Sequence, residues 1–318
     1  MTATGQHETA LVLGAGGFIG RWVVRELLGR GRRVVGIVRD KGRGLGAFAG
    51  WATLPELKVV DLVRPGAVRS LIADVRPSAV FNLAGYGVDR NERDETAAEQ
   101  VNHDLVRELA TACAPSAGVG GPLLLHVGSA LEYGTATGVL GESTVPQPTT
   151  LYGRTKLAGT RAVTAAAETL GTNGVSARLF TVFGAGEHEG RLFPSLVHAA
   201  QTGASLPLTE GRQRRDFAWA GDVAELLVDL SLSSFEPGAI VNVASGQLRE
   251  VAEFVRECAS QLELADEQLH FGAVPGRVEE MWHDGVDVTA LRELVGRAVP
   301  ADLARAVTKA LQTPLQTS

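Results

Sequence analysis

Ala10-Leu11-Val12-Leu13-Gly14-Ala15-Gly16-Gly17-Phe18-Ile19-Gly20, continuing into Arg21 to Arg30, reads as strand, glycine turn and helix in immediate succession. The run from Ala10 to Leu13 is continuously apolar, as a strand buried on both faces requires. Trp22, Val23, Leu27 and Leu28 then recur at helical spacing. Gly14 permits a tight turn, Gly17 lets backbone approach a pyrophosphate, and Gly20 allows close packing of the helix, whose N-terminus faces the anion. A glycine turn by itself is weak evidence. Here both flanking elements match, so the stretch predicts a dinucleotide site that includes Phe18 and Ile19.

Working outward, Arg33 to Val38 predicts a second strand. An NAD site usually carries an acid at this strand's end to meet the ribose hydroxyls; this chain has Val38 and then Arg39. An uncharged residue followed by a guanidinium suits a ribose 2′-phosphate, which favours NADP(H), the alternative being an ordinary solvated charge. Leu57 to Val60 predicts a third strand ending at Asp61, which either meets the adenine, with Leu62 beside it at the cofactor, or caps the next helix. Ala79 to Leu83 is a fourth, followed by Ala84-Gly85, residues small enough for the chain to pass close beneath a cofactor. Further strands are expected over Leu123 to Val127, Val175 to Phe180 and Ile240 to Val243. Amphipathic patterns run from Glu95 to Cys113, from Tyr152 to Leu170, near Pro194 to Thr202, from Asp222 to Leu232, near Leu248 to Leu262 and beyond Pro300. This alternation predicts an α/β fold, a Rossmann-like doubly wound parallel sheet with ligands at the carboxyl ends of its strands. A smaller, discontinuous α/β domain completes the chain: residues 1–182 and about 237–246 are assigned to dinucleotide binding, 183–236 and 247–318 to substrate.

Tyr152 and Lys156 lie four apart and so share one helical face, with Ser129 supplied by the end of the fifth strand. A cation beside a phenol favours the phenolate, lowering its pKa from about 10 toward neutrality. Such a pair is suited to proton transfer.

Among 318 residues, 30 are basic and 36 acidic, a net charge of −6 that offers no general attraction to nucleic acid or anionic membrane. The two cysteines, Cys113 and Cys258, are far apart and fit no zinc or disulfide pattern. Glu279, Glu280, His283, Asp284 and Asp287 are close in sequence but read as a solvated loop, so no metal is expected. No apolar run approaches the roughly 18 residues of a membrane helix, and the polar start from Met1 to Thr9 is unlike a signal peptide. A cytoplasmic protein is expected.

The series GAGGFIG at 14–20, Asp61, NLAG at 82–85, Asn102, Ser129, YGRTK at 152–156, RDF at 215–217 and DVA at 222–224 resembles the extended short-chain dehydrogenase/reductase family, particularly its nucleotide-sugar members. The resemblance covers essentially the whole chain. It implies that Tyr152 is the general acid, that Lys156 bonds the nicotinamide ribose and lowers the tyrosine pKa, and that Ser129 bonds the substrate oxygen. Leu83, Ala84, Gly85 and Asn102 are then at the cofactor, and Ala130 and Thr181 at the substrate, Thr181 standing where the family commonly has Asn. Dehydratase relatives follow the Ser/Thr with a pair ending in Glu; here Ala130 and Leu131 cannot move a proton. The 3,5-epimerase/reductase relatives use a cysteine where this chain has Leu131. A reductase using NADP(H) on a nucleoside-diphosphate keto-sugar remains, with epimerisation or reduction of a non-nucleotide ketone left open. Arg215, and Arg277 in a stretch resembling FGALPYR, are implied at the diphosphate, and a homodimer through a four-helix bundle is implied for the helices of Glu95 to Cys113 and Tyr152 to Leu170.

Overall fold

The computed structural model describes residues 8–88, 92–116, 120–276, 281–313 and 315. Seven strands form one parallel sheet: β1 Thr9–Leu13, β2 Arg33–Val38, β3 Glu56–Val59, β4 Ala79–Asn82, β5 Leu123–Ser129, β6 Gly174–Leu179 and β7 Ala239–Val243. Their spatial order is β7-β6-β5-β4-β1-β2-β3. The order reverses between β1 and β4, where the switch-point crevice of a doubly wound sheet opens at the carboxyl ends. The expected sheet is therefore present, with strand ends displaced by a residue or so.

The main helices are α1 Phe18–Gly29, α2 Lys41–Ala47, α3 Ala67–Val75, α4 (Glu95–Glu99, a π turn Gln100–Asp104, then Leu105–Ala112), α5 Leu151–Leu170, α6 Leu192–Thr202, α7 Ala220–Leu232, α8 Val251–Leu262, α9 Thr289–Val295 and α10 Leu303–Gln312. Buried Leu11, Val35, Leu105, Leu109 and Val163 form the core beneath α3, α4 and α5. On the opposite face Val12, Trp22, Leu27, Val223 and Leu227 join α1 to α7. Trp22 and Trp219 meet edge to face there, 5.3 Å between centroids. Thus α7, expected with the second domain, packs on a helix of the first. Helix α2 has no counterpart in the sequence reading, because Gly42, Gly44 and Gly46 make its composition helix-poor. Tertiary packing keeps it: a side chain at Gly44 would stand 2.8 Å from Val38 Cγ2, so α2 lies directly over the end of β2.

The second lobe has an aromatic core. Phe217 stacks on Phe254 at 4.1 Å, and Phe183 meets Phe254 edge to face at 4.9 Å. Short strands Thr181–Phe183 and Phe217–Trp219 pair in parallel and carry the chain from β6 into this lobe.

Candidate active site

Ser129 is the last residue of β5 and the N-cap of a single 3₁₀ turn, Ala130–Glu132. Its hydroxyl oxygen accepts the Leu131 amide at 3.2 Å, which leaves the hydroxyl hydrogen free to point elsewhere. Helix α5 begins one residue before Tyr152, capped by Thr150, whose hydroxyl accepts the Gly153 amide at 3.0 Å. Gly153 is required by packing: a Cβ there would lie 2.4 Å from the Leu131 carbonyl oxygen, so only glycine lets this turn of α5 touch the Ser129 turn. Lys156, one helical turn later, is buried and donates to the Val127 carbonyl at 2.5 Å. Hence β5 receives both the serine and the anchor of the lysine. The Ser129 hydroxyl faces the Tyr152 phenol closely enough to ease its ionisation.

The electrostatics differ from the sequence expectation. Burial first, and the Glu132 carboxylate with it, push the Tyr152 phenol up to about 12, with Arg191 and the Ser129 hydroxyl acting the other way. Burial lowers Lys156 to about 8, against the pull of Glu132. Spacing along a helix brings two residues to one face, but the cost of desolvation depends on what covers that face. Burial and the Glu132 carboxylate thus both favour the proton-bearing form of Tyr152.

At the switch point, a Cβ on Gly14 would stand 2.8 Å from the Leu83 carbonyl oxygen, and one on Gly20 would stand 2.1 Å from the Gly14 carbonyl oxygen. The glycine turn is therefore wedged between the end of β4 and the start of α1. Gly17, the N-cap of α1, is exposed, has no side-chain cap, and is followed by no acid in the first turn. A backbone cradle open above an uncapped helix N-terminus fits the pyrophosphate of a dinucleotide. Phe18 and Ile19 are half-buried beside it, Val38 is buried, and Arg39 is exposed at the end of β2. Asp40 caps α2 through the Arg43 amide at 2.7 Å. Asp61 accepts the Val63 amide at 3.3 Å, a local turn rather than a helix cap.

Asn102 lies in the π turn and is fully buried. Its side chain exchanges bonds with the Tyr86 amide and carbonyl at 3.0 and 2.8 Å and donates to Thr155 Oγ1 at 2.9 Å. It therefore ties the loop after Ala84 and Gly85 to α5. That loop reaches the site: an added Cβ on Gly87 would lie 3.2 Å from the Tyr152 ring.

Beyond the triad, a cavity of about 320 Å³ is lined by Thr181, Arg215, Glu187, Arg191, Thr209 and Gln213, with Phe183, Phe217 and Phe254 behind them. Arg215 donates to the carbonyls of Arg214 and Met281 at 2.8 and 3.3 Å. Its neighbour Asp216 turns away, accepting from the Ser245 and Gly246 amides at 2.9 and 2.8 Å. Ala130 is buried against Tyr133, Leu140 and Met281. Arg277, Glu279 and Glu280 lie outside the described residues. Among the described residues no group of three His, Cys, Asp or Glu side chains converges as a metal site would. The sequence reading missed Glu187, whose carboxyl burial raises to about 7, and Arg191, which pairs with it at 3.2 Å and acts on Tyr152. It also missed Glu132, although Ser-x-x-Glu is the pattern of a capping box.

A parallel sheet with a glycine turn at its switch point and a Ser-Tyr-Lys site at the end of β5 defines an extended short-chain dehydrogenase/reductase. The chain belongs to the NAD dependent epimerase/dehydratase family, whose profile matches residues 10–244. It is similar to a probable dTDP-4,6-dihydroxy-2-methyloxan-3-one 4-ketoreductase of Streptomyces antibioticus, at 29% identity over 69% of this chain and 65% of the relative. It is also similar to a dTDP-6-deoxy-L-talose 4-dehydrogenase (NAD(P)(+)) of Kitasatospora kifunensis, 29% identical over 90% of this chain and 89% of that one. Among solved structures, MoeE5 in complex with UDP-glucuronic acid and NAD superposes with a TM-score of 0.78 at 26% identity, covering 97% of this chain and 98% of its own. No helix of the described residues is long and apolar enough to cross a membrane.

Proposed function

We propose that the chain is an NADPH-dependent ketoreductase of a nucleoside-diphosphate-linked 4-keto-6-deoxyhexose. The observation that carries this reading is the convergence of Ser129 at the end of β5 with Tyr152 and Lys156 on the first turns of α5, a hydroxyl to hold a carbonyl oxygen and a phenol to protonate it. Ketoreductase and dehydrogenase activities in the names of the relatives support the same chemistry on dTDP-linked sugars.

When bound, a reduced nicotinamide supplies the hydride. The protein's own residues divide the remaining work. Gly14, Gly17 and Gly20 shape the pyrophosphate cradle, with Phe18, Ile19, Leu83, Ala84 and Gly85 around it. Arg39 faces a 2′-phosphate, and Asp61 and Leu62 border the adenine. Ser129 donates to the carbonyl oxygen, Tyr152 protonates it, and Lys156 holds the ribose. Arg215 and Arg277 bond the sugar-linked diphosphate, for which forked donors are suited. Remote binding of this kind aligns the carbonyl with Tyr152. The division into domains expected from the sequence, a homodimer and a cytoplasmic location belong to the same proposal.

The test is consumption of NADPH and NADH with dTDP-, UDP- and GDP-linked 4-keto-6-deoxyhexoses and with small free ketones. Turnover on a nucleotide-linked substrate with preference for NADPH is expected. Arg215→Ala should raise KM for the sugar nucleotide without changing NADPH affinity, and Arg39→Ala should weaken NADPH more than NADH. Free ketones reduced equally fast in Arg215→Ala and without inhibition by nucleoside diphosphates would refute the substrate assignment.

A further inference from the structure

Glu132 is fully buried, and Arg178, its partner, is 1% exposed. Every oxygen of the carboxylate is committed. Oε1 accepts the Ser129 amide at 2.8 Å and the Thr160 hydroxyl at 3.1 Å, while Oε2 accepts Arg178 Nε at 2.8 Å. The three donors come from three elements: Ser129 ends β5, Thr160 lies one turn beyond Lys156 on the buried face of α5, and Arg178 belongs to β6. In the sheet register Arg178 is flanked by Gly128 on one side and Asn242 on the other. A Cβ at Gly128 would stand 2.6 Å from Glu132 Oε1, so the carboxylate occupies space that only a glycine leaves. Above it the guanidinium lies 4.5 Å from the Tyr133 ring, and the Tyr133 hydroxyl donates to Asn242 Oδ1 at 2.7 Å.

Two buried charges are costly to remove from water, and an apolar pair of the same volume often serves stability equally well. What an apolar pair lacks is direction. A carboxylate with three fixed donors sets the relative position of the elements that bear them.

We propose that the Glu132–Arg178 pair is a positioning device for the reaction: through the Ser129 amide and the Thr160 hydroxyl it fixes the reach between the Ser129 hydroxyl and the Tyr152–Lys156 face of α5. Neither residue touches a reacting atom. Glu132 also contributes the negative charge felt by both Tyr152 and Lys156, alongside Arg191 and Glu92, which act on the phenol. The kinetic part of the inference rests on the reductase reading given above; the geometric part does not.

Thr160→Val keeps the shape of the side chain and removes its bond to Glu132, and Thr160→Ser restores the hydroxyl. Thr160→Val is expected to lower kcat roughly tenfold with KM little changed, and Thr160→Ser to recover it, since small misplacements of reacting groups cost rate. Glu132→Gln should in addition move the alkaline limb of the pH profile to lower pH, because the negative charge that favours the protonated forms of both Lys156 and Tyr152 is gone; a purely structural defect leaves that limb in place. If Glu132→Gln does not fold, the Thr160 pair decides alone. Crystal structures of Thr160→Val and Thr160→Ser supply a readout that needs no turnover, with the Ser129 hydroxyl displaced relative to Tyr152 in the first and not the second. An undisplaced Ser129 in Thr160→Val, or a Thr160→Ser variant as impaired as Thr160→Val, overturns the proposal. Displacement in Thr160→Val together with a wild type inactive on every keto-sugar would uphold the positioning role and defeat the substrate reading instead.

Discussion

Tyr152 and Lys156 show how one spacing can carry opposite electrostatic outcomes. Four residues on a helix bring both to one face, and a cation there is expected to lower the phenol. Burial and the Glu132 charge raise it to about 12 instead, and burial draws the ammonium down to about 8. Removing only the hydroxyl in Tyr152→Phe should leave cofactor affinity nearly unchanged and lower turnover by about 10²-fold or more; steady-state kinetics beside a fluorescence titration of NADPH checks both. Lys156 makes its own prediction. Its folded-state pKa is depressed, so the charged form is present below about pH 8 and is lost as pH rises through that value. Since kcat/KM reports groups of the free enzyme, its pH profile should show an alkaline limb near 8.

At the scale of elements, glycines decide where helices can touch. Gly20 lets α1 close over the Gly14 carbonyl, and Gly153 lets α5 close over the Leu131 carbonyl. The first was legible in the sequence because its spacing belongs to a recognisable strand-turn-helix pattern; the second was not, because Leu131 and Gly153 are linked only by the packing of α5 on the Ser129 turn. Gly153→Ala should cost about 1–3 kcal/mol of stability through overpacking and lower kcat by moving Tyr152 away from Ser129. A denaturant titration measures the first and turnover the second, and an unaltered kcat would mean that the contact does not set the triad. Likewise Asn102 was placed at the cofactor by resemblance, whereas its described bonds run to Tyr86 and Thr155. Its register depends on a π turn that no periodicity reveals.

For the whole molecule, α4 and α5 lie side by side over one face of the sheet, and α5 leaves Ala158 and Ala162 half-buried and Ala165 exposed. Small residues on an outward helix face allow a second copy to approach closely, and pairing α4 and α5 with their symmetry mates makes a four-helix bundle. Light scattering at micromolar concentration should give twice the mass of the 33.4 kDa chain. Substituting Ala162 by Arg should return it to the monomer mass, and a wild type already monomeric would remove the dimer from the proposal.

The succession of strands and helices, the glycine turn and the sharing of one helical face by Tyr152 and Lys156 were determined by the sequence itself, because each rests on local conformation: continuous apolar runs, glycine spacing and residues four apart on a helix. The protonation of those two residues, the cavity built from Glu187, Arg191 and Arg215, and the Glu132–Arg178 pair were decided only by the tertiary structure. Desolvation and charge pairing depend on which distant segments cover a group. Glu132 and Arg178 are 46 residues apart in the chain and 2.8 Å apart in the fold, a separation over which no periodicity in the sequence carries information.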